Sequence, residues 1–408
     1  MGTGKFTMTI YAHIIKDSPV QHWGLTSRQR ILRVLHSAGV TDIVGDIASL
    51  PESGSVILLR GDYLFDDRVI KYMVDSQDVL LQISKGPGRE IVGAKVSSRL
   101  VGPAADIIKG DDNGRSLPAV RTETLETLSL SFQQQLLKFE PPFVLPITAE
   151  NRRDLERRLF DASYKGVTDL VTKWIWPAPA RWAVGQCVRL GLRPNHVTVI
   201  GLLLVILACF FFARGSYGWG LLAGWLMTFL DTVDGKLARV TVTSSRFGHY
   251  FDHLIDLVHP PIWYILWGVG LGVGHLEFIG ISVTAAGWLI CAGYVVGRLV
   301  EGVFLAWLGK FGLFCWRPLD SYFRLITARR NPCMIFLTAG TLLGRPDTGL
   351  AAVTVWTVLT SLFLCVCLAQ ALHRQRTDGA IRSWFQDIDP TRQPQPLAVR
   401  LFTFQKGK

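Results

Sequence analysis

Apolar residues are spaced in two different ways along the 408-residue chain. In residues 1–145 they come in short runs broken by charged and turn-forming residues, the pattern of a small α/β domain. FTMTIYAHII (6–15) alternates enough to predict a strand. SRQRILRVLHSAG (27–39) sets Ile31, Leu32, Val34 and Leu35 at helical spacing and ends at Gly39, a helix stop. VTDIVGDI and SVILLRGD predict two further strands, and Asp66 and Asp67 open a helix running to Val74. VLLQISK and EIVGAKVS add two more strands around the turn KGPGRE. Strand and helix in alternation predict a mostly parallel sheet with helices on its faces.

Residues 196–373 instead hold apolar blocks long enough to cross a bilayer, which takes about 20 helical residues. Six segments stand out, near 196–213, 217–238, 250–273, 277–305, 325–344 and 349–372, of which the second, third and fifth contain charges. Between the two halves, residues 147–196 begin as a charged helix and become amphipathic, with Trp174, Trp176 and Trp182 near Lys173 and Arg181. Tryptophan beside basic residues suits the headgroup region, so a helix lying on the membrane is expected here, with a linker packed on protein as the alternative. The expected divisions are 1–145, a linker at 146–190, a six-helix membrane domain at 191–373 and a basic tail at 374–408.

Loop charge predicts orientation. The loops near 214–218, 271–277 and 345–348 carry only Arg214 and Arg345 as basic residues. The opposite side carries Lys236, Arg239, Arg246, Lys310, Arg317, Arg324, Arg329 and Arg330, and the tail adds Arg374, Arg376 and Arg382. Both termini and the charged ends of the second and third helices are therefore expected on the cytoplasmic side. The opening MGTGKFTMTIYAHIIKD has no long apolar core, so no signal peptide is expected. A net charge of +11 is open to nucleic acid, an anionic membrane surface or phosphate-bearing substrates, but no nucleic-acid signature accompanies it. None of the seven cysteines precedes Cys187, and their spacing suits neither a disulfide framework nor zinc.

Candidate chemistry comes from four carboxylates, Asp231, Asp234, Asp252 and Asp256, in or beside apolar helices. A charge inside a membrane helix costs at least ~2.5 kcal/mol, so four need compensation. Asp231 and Asp234 share a face at i, i+3, and Asp252 and Asp256 share one at i, i+4 on the next helix. A hairpin can join the pairs at the cytoplasmic end. Clustered hard oxygens suit Mg²⁺ or Mn²⁺ with positions left open for phosphate. Gly235 and Gly248 permit close approach of a ligand, Ala238 keeps the same face narrow, and Lys236 and Arg239 can offset acidic charge or contact phosphate. His249, His253 and His259 read as polar helix or packing residues rather than ligands. The competing reading is a purely structural ion network, which leaves the glycine positions unexplained.

DTVDGKLARVTVTSSRFGHYFDHLID (231–256) fits D-x2-D-G-x2-A-R-x8-G-x3-D-x3-D in all eight positions and resembles the CDP-alcohol phosphotransferase signature. The resemblance implies a six-helix integral membrane enzyme, homodimeric and using two metal ions, that displaces CMP from a CDP-linked alcohol with the hydroxyl of a second alcohol. It implies that Asp231, Asp234 and Asp252 hold metal. Asp256 would be general base, perhaps also touching metal, and Gly235, Ala238, Arg239 and Gly248 would line the nucleotide site. LRPNHVT (192–198) is similar to the family's Pro-Asn entry to its first membrane helix. Arg324, Arg329 and Arg330 are candidates for an acceptor phosphate, since arginine binds phosphate bidentately, though positive-inside anchoring needs the same charges.

GVTDIV (39–44) and SVILLRGDYLFDD (55–67) resemble the middle of a nucleotidyltransferase, in which Asp62 would help hold metal. Some phosphotransferases carry such a domain, a cytidylyltransferase that makes CDP-inositol. YAHIIKDSPVQHWG replaces the glycine-rich loop after the first strand, so the domain is expected to be degenerate, and any retained activity would rest on Asp62 and Lys16. The donor expected is CDP-diacylglycerol, with inositol phosphate or another polyol phosphate as acceptor and membrane lipid around the site. The alternatives are a CDP-polyol donor with a soluble polyol-phosphate acceptor, a non-catalytic scaffold, and a transporter, for which inverted repeats are lacking.

Overall fold

The computed structural model describes residues 9–403 apart from 52, 86–87, 111–116, 118, 129–131, 134–136, 245, 310 and 390. The chain forms two compact units. The first comprises Met1–Phe132, Glu140–Ala162 and Val240–Thr243, and the second Gln133–Phe139, Ser163–Arg239 and Ser244–Lys408. The sequence-based divisions therefore shift: part of the expected linker folds with the first unit, and each unit borrows a short segment from the other's stretch of chain.

In the first unit six strands form one sheet: β1 (Ile10–Asp17), β2 (Asp42–Ile43), β3 (Ser55–Gly61), β4 (Val79–Lys85), β5 (Gly88–Ser97) and β6 (Arg121–Thr124), in the order β2-β1-β3-β5-β4-β6. β1 runs parallel to β2 and β3, and β4 to β6, but β5 is antiparallel to both β3 and β4. The sheet is thus mixed rather than mostly parallel. Lys85 pairs with Gly88, so β4 and β5 form a hairpin, whereas parallel neighbours need a long crossover. The expected turn KGPGRE falls partly on residues 86–87, outside the described residues.

The run SVILLRG of β3 has no polar face because both faces are covered. Ile57 and Leu59 pack with Ile31, Val34 and Leu35 of α1 (Ser27–Ser37) and Val69 and Ile70 of α2 (Asp67–Asp75). Val56 and Leu58 pack with Ala104, Ala105 and Ile108 of α3 (Val101–Lys109). α1 starts in a reciprocal cap: the Thr26 hydroxyl accepts from Gln29 N at 3.2 Å, and Gln29 Oε1 accepts from Thr26 N at 3.0 Å. α4 (Arg152–Ala162) closes the unit, with Trp23 Nε1 donating to the Glu156 carbonyl at 2.9 Å.

The second unit is helical. α5 (Pro177–Arg189) follows a π-helical turn at Val171–Ile175, and Trp174 and Trp182 are exposed there, as an amphipathic surface helix requires. Then come α6 (Pro194–Ala213), α7 (Tyr217–Val240), α8 (Arg246–Gly270), α9 (Val283–Val303), the short α10 (Pro318–Arg324), α11 (Arg330–Leu342) and α12 (Pro346–Asp378). Six segments were expected to span. Among the described residues three helices are long and apolar enough: Pro194–Ala213, Val283–Leu308 and Pro346–Asp378. α7 and α8 are long but carry the carboxylates at one end. α11, with 13 residues, reaches only about 20 Å at 1.5 Å per residue.

Phe212, Tyr217, Trp263, Trp267, Met334 and Leu337 form the buried centre of this unit, while Leu203, Trp288 and Leu362 face outward, as lipid-facing residues do. α11 and α12 cross so closely that a Cβ on Gly340 would lie 2.7 Å from the Gly349 Cα. The C-terminal residues are not a free tail. Phe385 and Phe402 are fully buried, and the Ser383 hydroxyl donates to the Cys315 carbonyl at 2.7 Å.

The connection Val240–Thr243 between α7 and α8 folds into the first unit. Arg30 Nη1 donates to the Val240 carbonyl at 2.8 Å and Arg33 Nη1 to the Thr241 carbonyl at 2.5 Å. These are carbonyls that a helix end leaves without an internal partner. Val242 follows at φ +50° and packs against the α1–α2 side of the sheet.

Candidate functional site

α7 and α8 bring Asp231, Asp234 and Asp256 to one end of the helical unit. Asp231 and Asp256 converge on a single guanidinium, that of Arg330 at the start of α11. Arg330 Nη1 lies 2.5 Å from Asp256 Oδ1, and Nη2 donates to Asp231 Oδ2. Asp234, one turn from Asp231, is buried and accepts from the Thr198 hydroxyl of α6 at 2.7 Å. The Asp252 side chain lies outside the described residues. Among the described residues, no three His, Cys, Asp or Glu side chains gather around one point.

The donor set nevertheless fits a hard divalent cation. Carboxylate oxygens from two helices already meet around one positive group, so Arg330 marks a place where cationic charge is required. His259 Nδ1 faces the Ile255 carbonyl at 2.6 Å.

The residues expected on the nucleotide side follow on α7. A Cβ on Gly235 would sit 3.1 Å from Arg239 Nη2, so the glycine leaves room for that guanidinium. Ala238 is half-buried beside it, and Gly248 lies in the first turn of α8. Lys236 points away from the carboxylates: it is buried, its Nζ 3.6 Å from the Tyr164 ring centroid and 3.4 Å from the Ser163 carbonyl.

The three arginines expected to bind acceptor are differently placed. Arg330 is held by Asp231 and Asp256, and Arg329 is paired with Glu301 of α9. Among the described residues, Arg324 Nη1 and Arg330 Nε are buried with no hydrogen-bond partner, and of the three arginines Arg324 is the one that no ion pair holds at Asp231, Asp256 or Glu301. Its counter-charge is Asp169. Burial pushes that carboxyl up, but Arg324 and hydrogen bonds from Thr172 and Asn331 hold it below its ordinary range. Sequence reasoning missed Asp169 and Lys165. Lys165 has an exposed surface and lies within electrostatic reach of other charged groups of the unit. Burial, then the charges of Arg239 and Arg324, lower its pKa, while Asp231 and Asp256 act oppositely from within electrostatic reach. No periodicity or motif flags either residue.

The sequence that holds these aspartates is matched by a family model, that of CDP-alcohol phosphatidyltransferase, over residues 192–372. That match covers somewhat less than half of the chain. The chain is 40% identical over 86 residues to an archaetidylinositol phosphate synthase of Pyrococcus horikoshii, covering 20% of this chain and 43% of the relative. A phosphatidylinositol phosphate synthase of Streptomyces avermitilis is 31% identical over 152 residues, 31% of this chain and 62% of the relative. A bifunctional IPC transferase and DIPP synthase of Rubrobacter xylanophilus is 29% identical over 161 residues, 40% of this chain and 34% of the relative. The chain thus spans less than two thirds of the length of each of these relatives. All three are named as transferases or synthases.

In the first unit, Asp62 is gripped by Arg60, with Nε at 2.8 Å from Oδ1 and Nη2 at 2.5 Å from Oδ2. Arg60 also pairs with Glu90, which accepts from the Tyr63 hydroxyl at 2.7 Å. Lys16 points elsewhere, to the Lys109 carbonyl at 3.4 Å.

Proposed function

We propose that the chain transfers a substituted phosphate from a CDP-alcohol, with CDP-diacylglycerol as the first candidate, to the hydroxyl of a polar alcohol, releasing CMP. The observation that carries the reading is the convergence of Asp231 and Asp256, from two helices, on one cationic position beside Asp234. The acceptor hydroxyl oxygen attacks the phosphorus that carries the donor alcohol. The bond from that phosphorus to the CMP oxygen breaks, and its electron pair leaves with CMP. Asp256, whose carboxylate is the more solvent-accessible of the pair, takes the hydroxyl proton. Mg²⁺ or Mn²⁺, two ions held by Asp231, Asp234, Asp252 and Asp256, would stabilise both attacking and leaving oxygens. Gly235, Ala238, Arg239 and Gly248 line the cytidine nucleotide. Arg324 and Lys165 face the acceptor, and their charges favour a phosphorylated polyol such as inositol phosphate. The relatives named as inositol phosphate synthases support that choice.

In this reading six helices span, both termini and the site are cytoplasmic, and the protein is a homodimer. The first unit is a degenerate nucleotidyltransferase, since Asp62 is already neutralised by Arg60. A second reading, a CDP-polyol donor with a soluble polyol-phosphate acceptor, is favoured by the bifunctional relative. The test is CMP release by purified full-length protein from CDP-diacylglycerol and from CDP-inositol, with Mg²⁺ or Mn²⁺ and a panel of alcohols and polyol phosphates. Release from CDP-diacylglycerol dependent on one acceptor supports the first reading. Release from CDP-inositol alone supports the second, and none from either sinks both.

A further inference from the structure

α8 contains two adjacent prolines, Pro260 and Pro261, one turn beyond Asp256. In an unbroken α-helix the N–H of residue 260 donates to the carbonyl of residue 256. Proline has no N–H, so the Asp256 carbonyl loses its donor within the helix. A buried carbonyl in an apolar bundle needs a replacement. Tyr294 of α9 supplies it, its hydroxyl donating to the Asp256 carbonyl at 3.2 Å. One turn along α9, Arg298 Nη2 donates to the Tyr294 oxygen at 3.2 Å, and its guanidinium lies 5.1 Å from the Tyr294 ring centroid. With its oxygen accepting from Arg298, the tyrosine proton is directed to Asp256.

We propose that Tyr294 is a positioning residue for Asp256: it replaces the hydrogen bond that Pro260 removes and so fixes the backbone from which the Asp256 carboxylate reaches the site. The pairing of proline and tyrosine explains both residues at once. Pro260 frees the stretch of α8 at Asp256 from strict helical geometry, and the bond from α9 determines where that stretch lies. The proposal rests on the reading of Asp256 as the group that takes the acceptor's proton.

The test is a double-mutant cycle in the full-length protein, comparing wild type, Tyr294→Phe, Pro260→Ala and the double variant in the CMP-release assay. Tyr294→Phe keeps the ring and removes only the hydroxyl. It is expected to lower kcat about threefold to tenfold, the range one net hydrogen bond carries, with KM for the CDP-alcohol changed less than twofold. Pro260→Ala replaces a poor helix former with the best one and restores the N–H. In that background Tyr294→Phe is expected to cost less than twofold. Equal losses in the two backgrounds, or a Tyr294→Phe enzyme with unchanged kcat, would overturn the proposal. If the wild type releases no CMP, the functional reading fails by itself. The same coupling is then read from the four thermal midpoints, where additivity overturns the proposal and non-additivity upholds the bond.

Discussion

Removing the Arg330 guanidinium tests whether it is the charge partner that lets Asp231 and Asp256 share one place. Arg330→Met keeps a long flexible side chain and deletes both ion pairs. Breaking a buried pair by deleting one partner costs ~3–5 kcal/mol, because the other charge is left uncompensated. The Asp231 side chain is 18% exposed and that of Asp256 36%, so solvent screens the second pair and the lower end, about 3 kcal/mol, applies. For a helical unit of this size that is a fall of roughly 6–12 °C in the unfolding midpoint. The assay is intrinsic tryptophan fluorescence on heating in detergent, first with chelator and then with Mg²⁺ or Mn²⁺. A divalent ion at a hundredfold excess over its dissociation constant contributes about 2.7 kcal/mol. It is expected to restore much of the lost midpoint in Arg330→Met, and to raise that of the wild type less, because Arg330 and the ion compete for the same carboxylates. An Arg330→Met midpoint equal to wild type in chelator would refute the charge argument. A cation response equal in both proteins would refute the shared position.

Three further outcomes are expected. Asp256→Asn abolishes CMP release while CDP-alcohol binding, measured by calorimetry, stays within a few-fold; unchanged turnover removes Asp256 as the base. Asp62→Ala unpairs one side of Arg60 and lowers the stability of the α/β unit by about 1–2 kcal/mol in urea unfolding, yet leaves CMP release within twofold; a large loss of activity in folded protein would give that unit a part in the chemistry. His22 is buried in the first unit with neither ring nitrogen hydrogen-bonded, and burial lowers its pKa below 6.5, so the native state holds it neutral while the unfolded chain binds a proton. Stability contributed by the neutral ring is therefore present above about pH 6.5 and lost as the pH falls below it. His22→Phe should flatten that fall in urea midpoints between about pH 7.5 and 5.5, and an unchanged slope would show that other groups cause it.

Local chemistry made some of this structure legible in sequence and left other parts hidden. The α1 pattern was readable because the Ile31–Leu32–Val34–Leu35 stripe and the stop at Gly39 act within a few residues, while the Thr26–Gln29 cap emerged only in the structure. The aspartates were readable because helical spacing alone puts Asp231 beside Asp234, and because charge in an apolar helix needs a reason. The mixed sheet was hidden: β5 inserts between β3 and β4, a long-range choice that alternation of elements does not record. The contacts of Arg330 were hidden for the same reason. Its partners lie 99 and 74 residues away, and nothing near it in sequence distinguishes it from Arg329, which pairs with Glu301. Hydropathy counted six segments by their apolar content, but the carboxylate-bearing ends of α7 and α8 and the shortness of α11 leave three helices, among the described residues, that are long and apolar enough to span.

The polar bonds around the site link α7 and α8 to three other helices: Thr198 of α6 reaches Asp234, Tyr294 of α9 reaches the Asp256 backbone, and Arg330 of α11 reaches both carboxylates. Their magnitudes decide what they do. A neutral interhelical hydrogen bond such as that of Tyr294 averages about 0.6 kcal/mol in a membrane protein, and the charge-assisted bond of Thr198 to Asp234 about twice that, so together they hold little of the bundle. The packed centre around Phe212, Trp263 and Trp267 does that, since truncating even one large aromatic side chain costs ~3–5 kcal/mol. Thr198 and Tyr294 can therefore be changed with small effects on folding and large effects on where a carboxylate points. Arg330 is different in kind, because its removal exposes two like charges to one another. Activity and stability should separate at the hydroxyls and fall together at the guanidinium.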